Sequence, residues 1–96
     1  MFAVLFTDND DFASERERLM PEHLEFLEQN KDRIKSAGPL RDAAGRPAGG
    51  LWLVEAEDHA GVERLVHQDP FWPTGLRKTV SILAWKRVFT DGRRQV

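Results

Sequence analysis

Four short stretches of β-forming residues are interleaved with two helical stretches in this chain, and that order restricts the fold more than any other feature. Residues 1–7 are apolar and rich in β-formers, with no polar alternation, which predicts a strand that needs cover on both faces. Asp8-Asn9-Asp10-Asp11 is a polar turn. Ser14 and Glu17 have the spacing of a capping box, but Pro21 follows closely. The pattern predicts a short helical turn over residues 14–20, then a main helix with Pro21 at its first position. Leu24, Phe26, Leu27 and Ile34 supply its apolar side, and Ala37-Gly38-Pro39 reads as its stop.

Residues 39–43 predict an edge strand, where a proline is tolerated. A glycine-rich loop over residues 44–50 leads into a second buried strand over residues 50–56. Asp58 is a natural N-cap for a helix over residues 58–68, with Val62, Leu65 and Val66 on its inner face. Residues 79–89 have period-two character: Val80, Ile82 and Ala84 point one way, and Leu83, Trp85 and Phe89 the other. Residues 91–96 read as a polar tail.

The order is therefore β-α-β-β-α-β within one domain spanning residues 1–96, and 96 residues leave no room for a second. The economical way to bury it is the ferredoxin-like α+β arrangement: a four-stranded antiparallel sheet with both helices on one face. The right-handed crossover rule makes the first two strands parallel, with the third between them in the opposite direction. Two helices cover one sheet face only. The other, carrying one face of the first strand with Leu83, Trp85 and Phe89, calls for a homodimer through the open sheet.

Composition excludes several classes of function. With 41% hydrophobic and 31% charged residues the chain is too apolar for disorder. A net charge of −2 supplies no field for nucleic acid or an anionic membrane. The absence of cysteine removes disulfides, thiolate metal sites and cysteine nucleophiles together, and suits a cytoplasmic protein. The longest apolar runs are too short for a signal-peptide core or a membrane span.

The chemistry concentrates at Asp69-Pro70-Phe71-Trp72. Pro70 stops the second helix at or before Asp69, leaving an acid at the negative end of the helix dipole. An acid held there wants a partner, and His23 is the best placed. In the expected topology both reach the same rim of the sheet, together with the loop at residues 8–11 and the hairpin at residues 41–49. A histidine bordering an apolar stripe is also commonly a packed side chain with one hydrogen bond, and Asp69 could serve only to brace its turn. His59, His67 and Asp69 form no compact three-ligand motif, so no metal is expected, and no cofactor motif is present. No Gly-x-Ser-x-Gly elbow surrounds Ser14, Ser36 or Ser81. Arg77-Lys78 and Arg93-Arg94 read as solvated basic clusters.

With these residues placed, the chain resembles the YCII-related family of small bacterial proteins. The resemblance rests on residues 1–6, on residues 18–27 with His23 inside, and on Ala37-Gly38-Pro39-Leu40. It continues through Gly49-Gly50-Leu51 and, above all, Asp69-Pro70-Phe71 followed by Gly75-Leu76. It implies a ferredoxin-like subunit, a dimer of the dimeric α/β-barrel kind, and a histidine–aspartate active-site pair at His23 and Asp69. The leading expectation is a cofactor-independent acid–base enzyme of lyase or isomerase type acting on a small, partly apolar or cyclic metabolite. His23 would move the proton, Asp69 would orient it, and Phe71 and Trp72 would line the substrate pocket. The alternative is a non-catalytic dimer that binds a small ligand or a partner in the same cleft. Oxygenase chemistry on a bound haem or quinol is a third reading, by fold analogy alone.

Overall fold

The alternation of apolar residues along the strands decides how the sheet is layered. The computed structural model describes all residues, Met1–Val96. Its elements are β1 (Phe2–Asp8), α1 (Ala13–Gln29), β2 (Ile34–Arg41), β3 (Pro47–Val54), α2 (His59–Gln68), β4 (Arg77–Ala84), β5 (Phe89–Thr90) and β6 (Arg93–Arg94). The main sheet has the order β2-β3-β1-β4, and every neighbouring pair is antiparallel. β1 and β2 are thus parallel with β3 between them, which is the ferredoxin-like α+β topology expected from the element order.

Val4 and Phe6 of β1, Trp52 and Val54 of β3 and Ile34 of β2 pack with Phe26 of α1 and with Val62, Leu65 and Val66 of α2. Both helices therefore cover one sheet face. Phe6 meets Trp52 edge-on at 5.0 Å, and each such fully buried side chain contributes about 1.5–3 kcal/mol. Val80 and Ile82 of β4 pack against the same core. On the other face, cross-strand register aligns Leu83, Ala3 and Leu53, and beside them Ser81, Leu5 and Leu51. Leu5 and Leu83 are exposed there.

Several boundaries differ from the sequence expectation. Helix α1 runs unbroken through Pro21. An interior proline costs about 3 kcal/mol because it lacks the N–H for the preceding turn. The helix continues because Leu19, Met20, His23, Phe26 and Leu27 form one inward stripe, while Pro21 faces solvent. The same helix stops early, at Gln29, where the Asn30 side chain donates to the Phe26 carbonyl at 2.9 Å. Ile34 therefore opens β2 rather than extending α1, and Ala37-Gly38-Pro39 lies inside an edge strand.

β3 begins at Pro47, before the expected position, and Gly49 in it has φ +96°. A Cβ at Gly49 would stand 1.8 Å from the Phe6 carbonyl oxygen, so only glycine lets β3 approach β1 there. β4 begins at Arg77 and ends at Ala84, so Trp85 and Phe89 leave the sheet. Residues 91–96 are not a featureless tail: Asp91 and Gly92, both with positive φ, turn β5 into β6.

Candidate active site

Pro70 disfavours helical backbone at Asp69, and Asp69 accordingly leaves α2 in an extended conformation with φ −64° and ψ 131°. That turn sends its carboxylate inward. Oδ1 accepts the Phe71 N–H at 3.2 Å and pairs with His23 Nδ1 at 2.8 Å. Asp69 is 2% exposed and His23 8%. His23 reaches this point because it lies on the inward stripe of α1, one turn before Phe26 and Leu27. The Phe71 ring stacks on the imidazole with centroids 4.2 Å apart and planes 19° from parallel.

Arg77, at the start of β4, closes the network. Its Nη1 donates to Asp8 Oδ1 at 3.0 Å, and its Nη2 stands 3.7 Å from Asp69 Oδ2. The guanidinium lies 4.2 Å over the Phe6 ring and 5.2 Å from that of Phe71. Arg16 of α1 donates to the second oxygen of Asp8. Two buried acids are thus matched by two guanidinium groups, which burial of charge requires. An ionised carboxylate only accepts, so the bond between the two has Nδ1 of His23 donating to Asp69. Arg77 Nε is the sole buried side-chain polar atom without a partner. His23 Nε2 makes no hydrogen bond either, so it is open to the adjoining space.

That space is a cavity of about 170 Å³ bounded by His23, Leu24, Leu27, Trp52 and Phe71, with Asp8, Arg16 and Arg77 at its polar end. Gly38, Gly49 and Gly50 contribute backbone to the wall. Geometrically, a group with an accessible ring nitrogen, oriented through its other nitrogen by a buried carboxylate, can exchange a proton with a molecule in the cavity.

Of the residues singled out in the sequence, His23, Asp69 and Phe71 converge and Trp72 does not. Phe71 is buried and Trp72 half exposed, because consecutive residues entering the tight turn at Trp72–Thr74 project in divergent directions. Trp72 instead packs on His67 at 4.5 Å and borders a separate cleft of about 340 Å³ between α2 and β4. His59 and His67 lie two helical turns apart on that cleft, and no set of three or more potential metal-ligating side chains converges anywhere. Asp8, Arg16 and Arg77 escaped sequence reading. Arg77 is no solvated cluster: its side chain is 7% exposed. The signal available was positional, since Asp8 ends β1 and Arg77 begins β4, and an antiparallel pairing of those strands sets them side by side.

A family model described as YCII-related domain matches residues 1–86. Among solved structures the chain is similar to 5-chloro-2-hydroxyhydroquinone dehydrochlorinase (TftG) from Burkholderia phenoliruptrix AC1100, in complex with 2,5-dihydroxybenzoquinone. The TM-score is 0.77 at 28% identity, over 88% of this chain and 92% of that one. No curated protein matches the chain.

Proposed function

The chain belongs to the YCII-related family, and on that premise we propose that it is an acid–base enzyme of lyase type acting on a small cyclic metabolite. The observation that carries this reading is His23 itself: buried, held through Nδ1 by Asp69, and free at Nε2 on an apolar-walled cavity. At about 170 Å³ the cavity is smaller than the roughly 300–1,000 Å³ of sites for drug-sized ligands, which suits a single ring. Phe71 and Trp52 supply aromatic walls for that ring. His23 takes a proton from a substrate O–H or C–H; the electrons of that bond form a new π bond, and the leaving group departs with its bonding pair. Asp69 stabilises the imidazolium formed, and the proton then passes to the leaving group or to solvent. The likeness to a dehydrochlorinase supports elimination as the reaction type. A cysteine-free chain suits the reducing cytoplasm as the place of work.

The working unit in this reading is a homodimer through the open sheet face, where Ala3, Leu5, Leu51, Leu53 and Leu83 line up. Covering about 800 Å² on each subunit would make an interface of standard size. Leu83→Glu is expected to yield monomer in sedimentation.

The test of the site is binding of 2,5-dihydroxybenzoquinone followed by NMR, with chloride release from 5-chloro-2-hydroxyhydroquinone as the activity assay. Resonances of His23, Trp52 and Phe71 should move on binding. His23→Gln should cut turnover by about 10²–10⁴-fold. Unchanged turnover in His23→Gln would remove the histidine from the chemistry. Binding without turnover of any halogenated hydroxyquinol would favour a ligand-binding role.

A further inference from the structure

The last residues of the chain form a structure that the chain itself does not support. β5 and β6 are two residues each, closed by the Asp91-Gly92 turn and by Gln95 N–H donating to the Val88 carbonyl at 2.8 Å. No hydrogen bond or ion pair joins residues 86–96 to the rest of the molecule; the last tie is Trp85 N–H to the Met1 carbonyl. A two-stranded hairpin on its own is marginal in water, yet this one presents Val88, Phe89 and Val96 to solvent at 51%, 61% and 77% exposure. The arm also lies beyond residue 86, where the family match ends.

Charge is segregated in the same way. Residues 86–96 hold four basic side chains and one acidic, a charge of +3. Residues 1–85 hold ten basic and fifteen acidic, a charge of −5. A basic, apolar-tipped arm and an acidic body on one chain are complementary between two copies. The arm also springs from β4 directly after Leu83, at the margin of the exposed apolar sheet face.

We infer that residues 86–96 are a clasp that reaches over the body of a second copy of this chain. The inference rests on the sheet-face dimer proposed above and adds to it: the sheets supply the apolar interface, and the arm closes over its margin through Val88, Phe89 and the arginines of β6. Burial of Val88 and Phe89 on the partner supplies what the hairpin lacks alone, and Lys86, Arg87, Arg93 and Arg94 draw it to a body of net charge −5.

Sedimentation of the full-length protein across a dilution series tests this, with Val88→Asp/Phe89→Asp and Arg93→Glu/Arg94→Glu as double variants. Both pairs are exposed in the subunit, so circular dichroism and the melt of dilute monomer should match wild type. The first double variant should weaken the dimer about a hundredfold. The second should weaken it about tenfold at low salt, with the difference shrinking as salt rises. A wild-type monomer at all concentrations would sink the sheet-face dimer and the clasp together. A wild-type dimer whose dissociation constant is unchanged in Val88→Asp/Phe89→Asp would overturn the clasp alone. Tighter dimerisation in that variant would place the arm over its own sheet, again overturning it. Binding of wild type to phosphatidylserine vesicles that Arg93→Glu/Arg94→Glu abolishes, with dimerisation untouched, would assign the arm to an anionic membrane instead.

Discussion

Two clefts flank Arg77, and the smaller one holds the organised chemistry. The cleft between α2 and β4 has about 340 Å³ and is bordered by His59, Glu63, His67, Trp72 and Lys78. The His23 cavity has about 170 Å³. Apart from the shared Arg77, the charged and imidazole side chains of the larger cleft are exposed and none makes a hydrogen bond, so engaging a ligand would first have to order them, at about 0.5–1.5 kcal/mol for each long side chain. At His23 the polar groups are already held: Asp69 by His23 and the Phe71 N–H, Asp8 by Arg16 and Arg77. Preorganised groups act without that cost at the moment of reaction. Space by itself locates a cleft; fixed side chains are what make one reactive.

The sharpest way to break the contrast is at the residue both clefts share. Arg77→Met should leave Asp69 buried with no guanidinium beside it and Asp8 with Arg16 alone, costing about 3–5 kcal/mol in urea denaturation. Lys78→Met, one residue on and exposed, should stay within about 0.5 kcal/mol. Equal losses in the two variants would mean that the network is no more built than the open cleft. Next, Phe71→Ala should cost about 3 kcal/mol because a buried ring is lost, whereas Trp72→Ala on the other cleft should cost under about 1 kcal/mol. Affinity for 2,5-dihydroxybenzoquinone should fall in the first and hold in the second. If Trp72→Ala abolishes binding, the ligand occupies the larger cleft and the site assignment fails.

Asp69→Asn probes the hydrogen bond itself, with an expected loss of about 1.5–3 kcal/mol for a bond to a charged group. In wild type, ring ¹⁵N shifts should report the Nδ1–H tautomer of His23. Observation of the Nε2–H form would mean that Asp69 does not accept from the ring. The smallest effect is predicted at the exposed Asp42, in the loop between β2 and β3. Backbone hydrogen bonding from Arg46, then from Ala44, together with the Arg46 side chain, holds its carboxyl below the ordinary 3.8. A depressed folded value contributes stability that is present above 3.8 and fades as pH falls through the folded value. Asp42→Asn should therefore lower the thermal midpoint slightly at neutral pH and have no effect in strong acid. A constant difference at every pH would rule out the carboxylate as its cause.

Local pattern carried more of the sheet than of its boundaries. β1, α2 and the polar turn after β1 were legible because residues 1–7 form a continuous run of apolar β-formers, because Val62, Leu65 and Val66 repeat at the helix period, and because Asp58 caps α2 through Gly61 N–H at 2.8 Å. The His23–Asp69 meeting was legible from strand order together with the otherwise unexplained acid before Pro70, since connections in this topology return both residues to one rim. Pro21 misled because its local penalty is real but smaller than the burial of the stripe on either side of it. Ile34 misled because an apolar residue near a helix end satisfies helix and strand periods alike. Trp72 misled because its place in the sequence beside Phe71 says nothing about direction within a tight turn.

The sequence by itself determined the element order, the shared core face of both helices and the pairing of an otherwise unexplained acid with the one histidine on α1. These follow from periodicity, chain connectivity and the proline after Asp69, all of which act over a few residues or through handedness. Only the tertiary structure decided that Arg77 is buried between Asp8 and Asp69, that Trp72 turns away from His23, and that the chain after β4 stands apart from its own body. Those outcomes depend on which distant groups arrive within a few ångströms once the sheet closes. A charged side chain such as Arg77 has no local preference strong enough to announce burial. Its partners, far away in the chain, make burial tolerable only after the fold has brought them together.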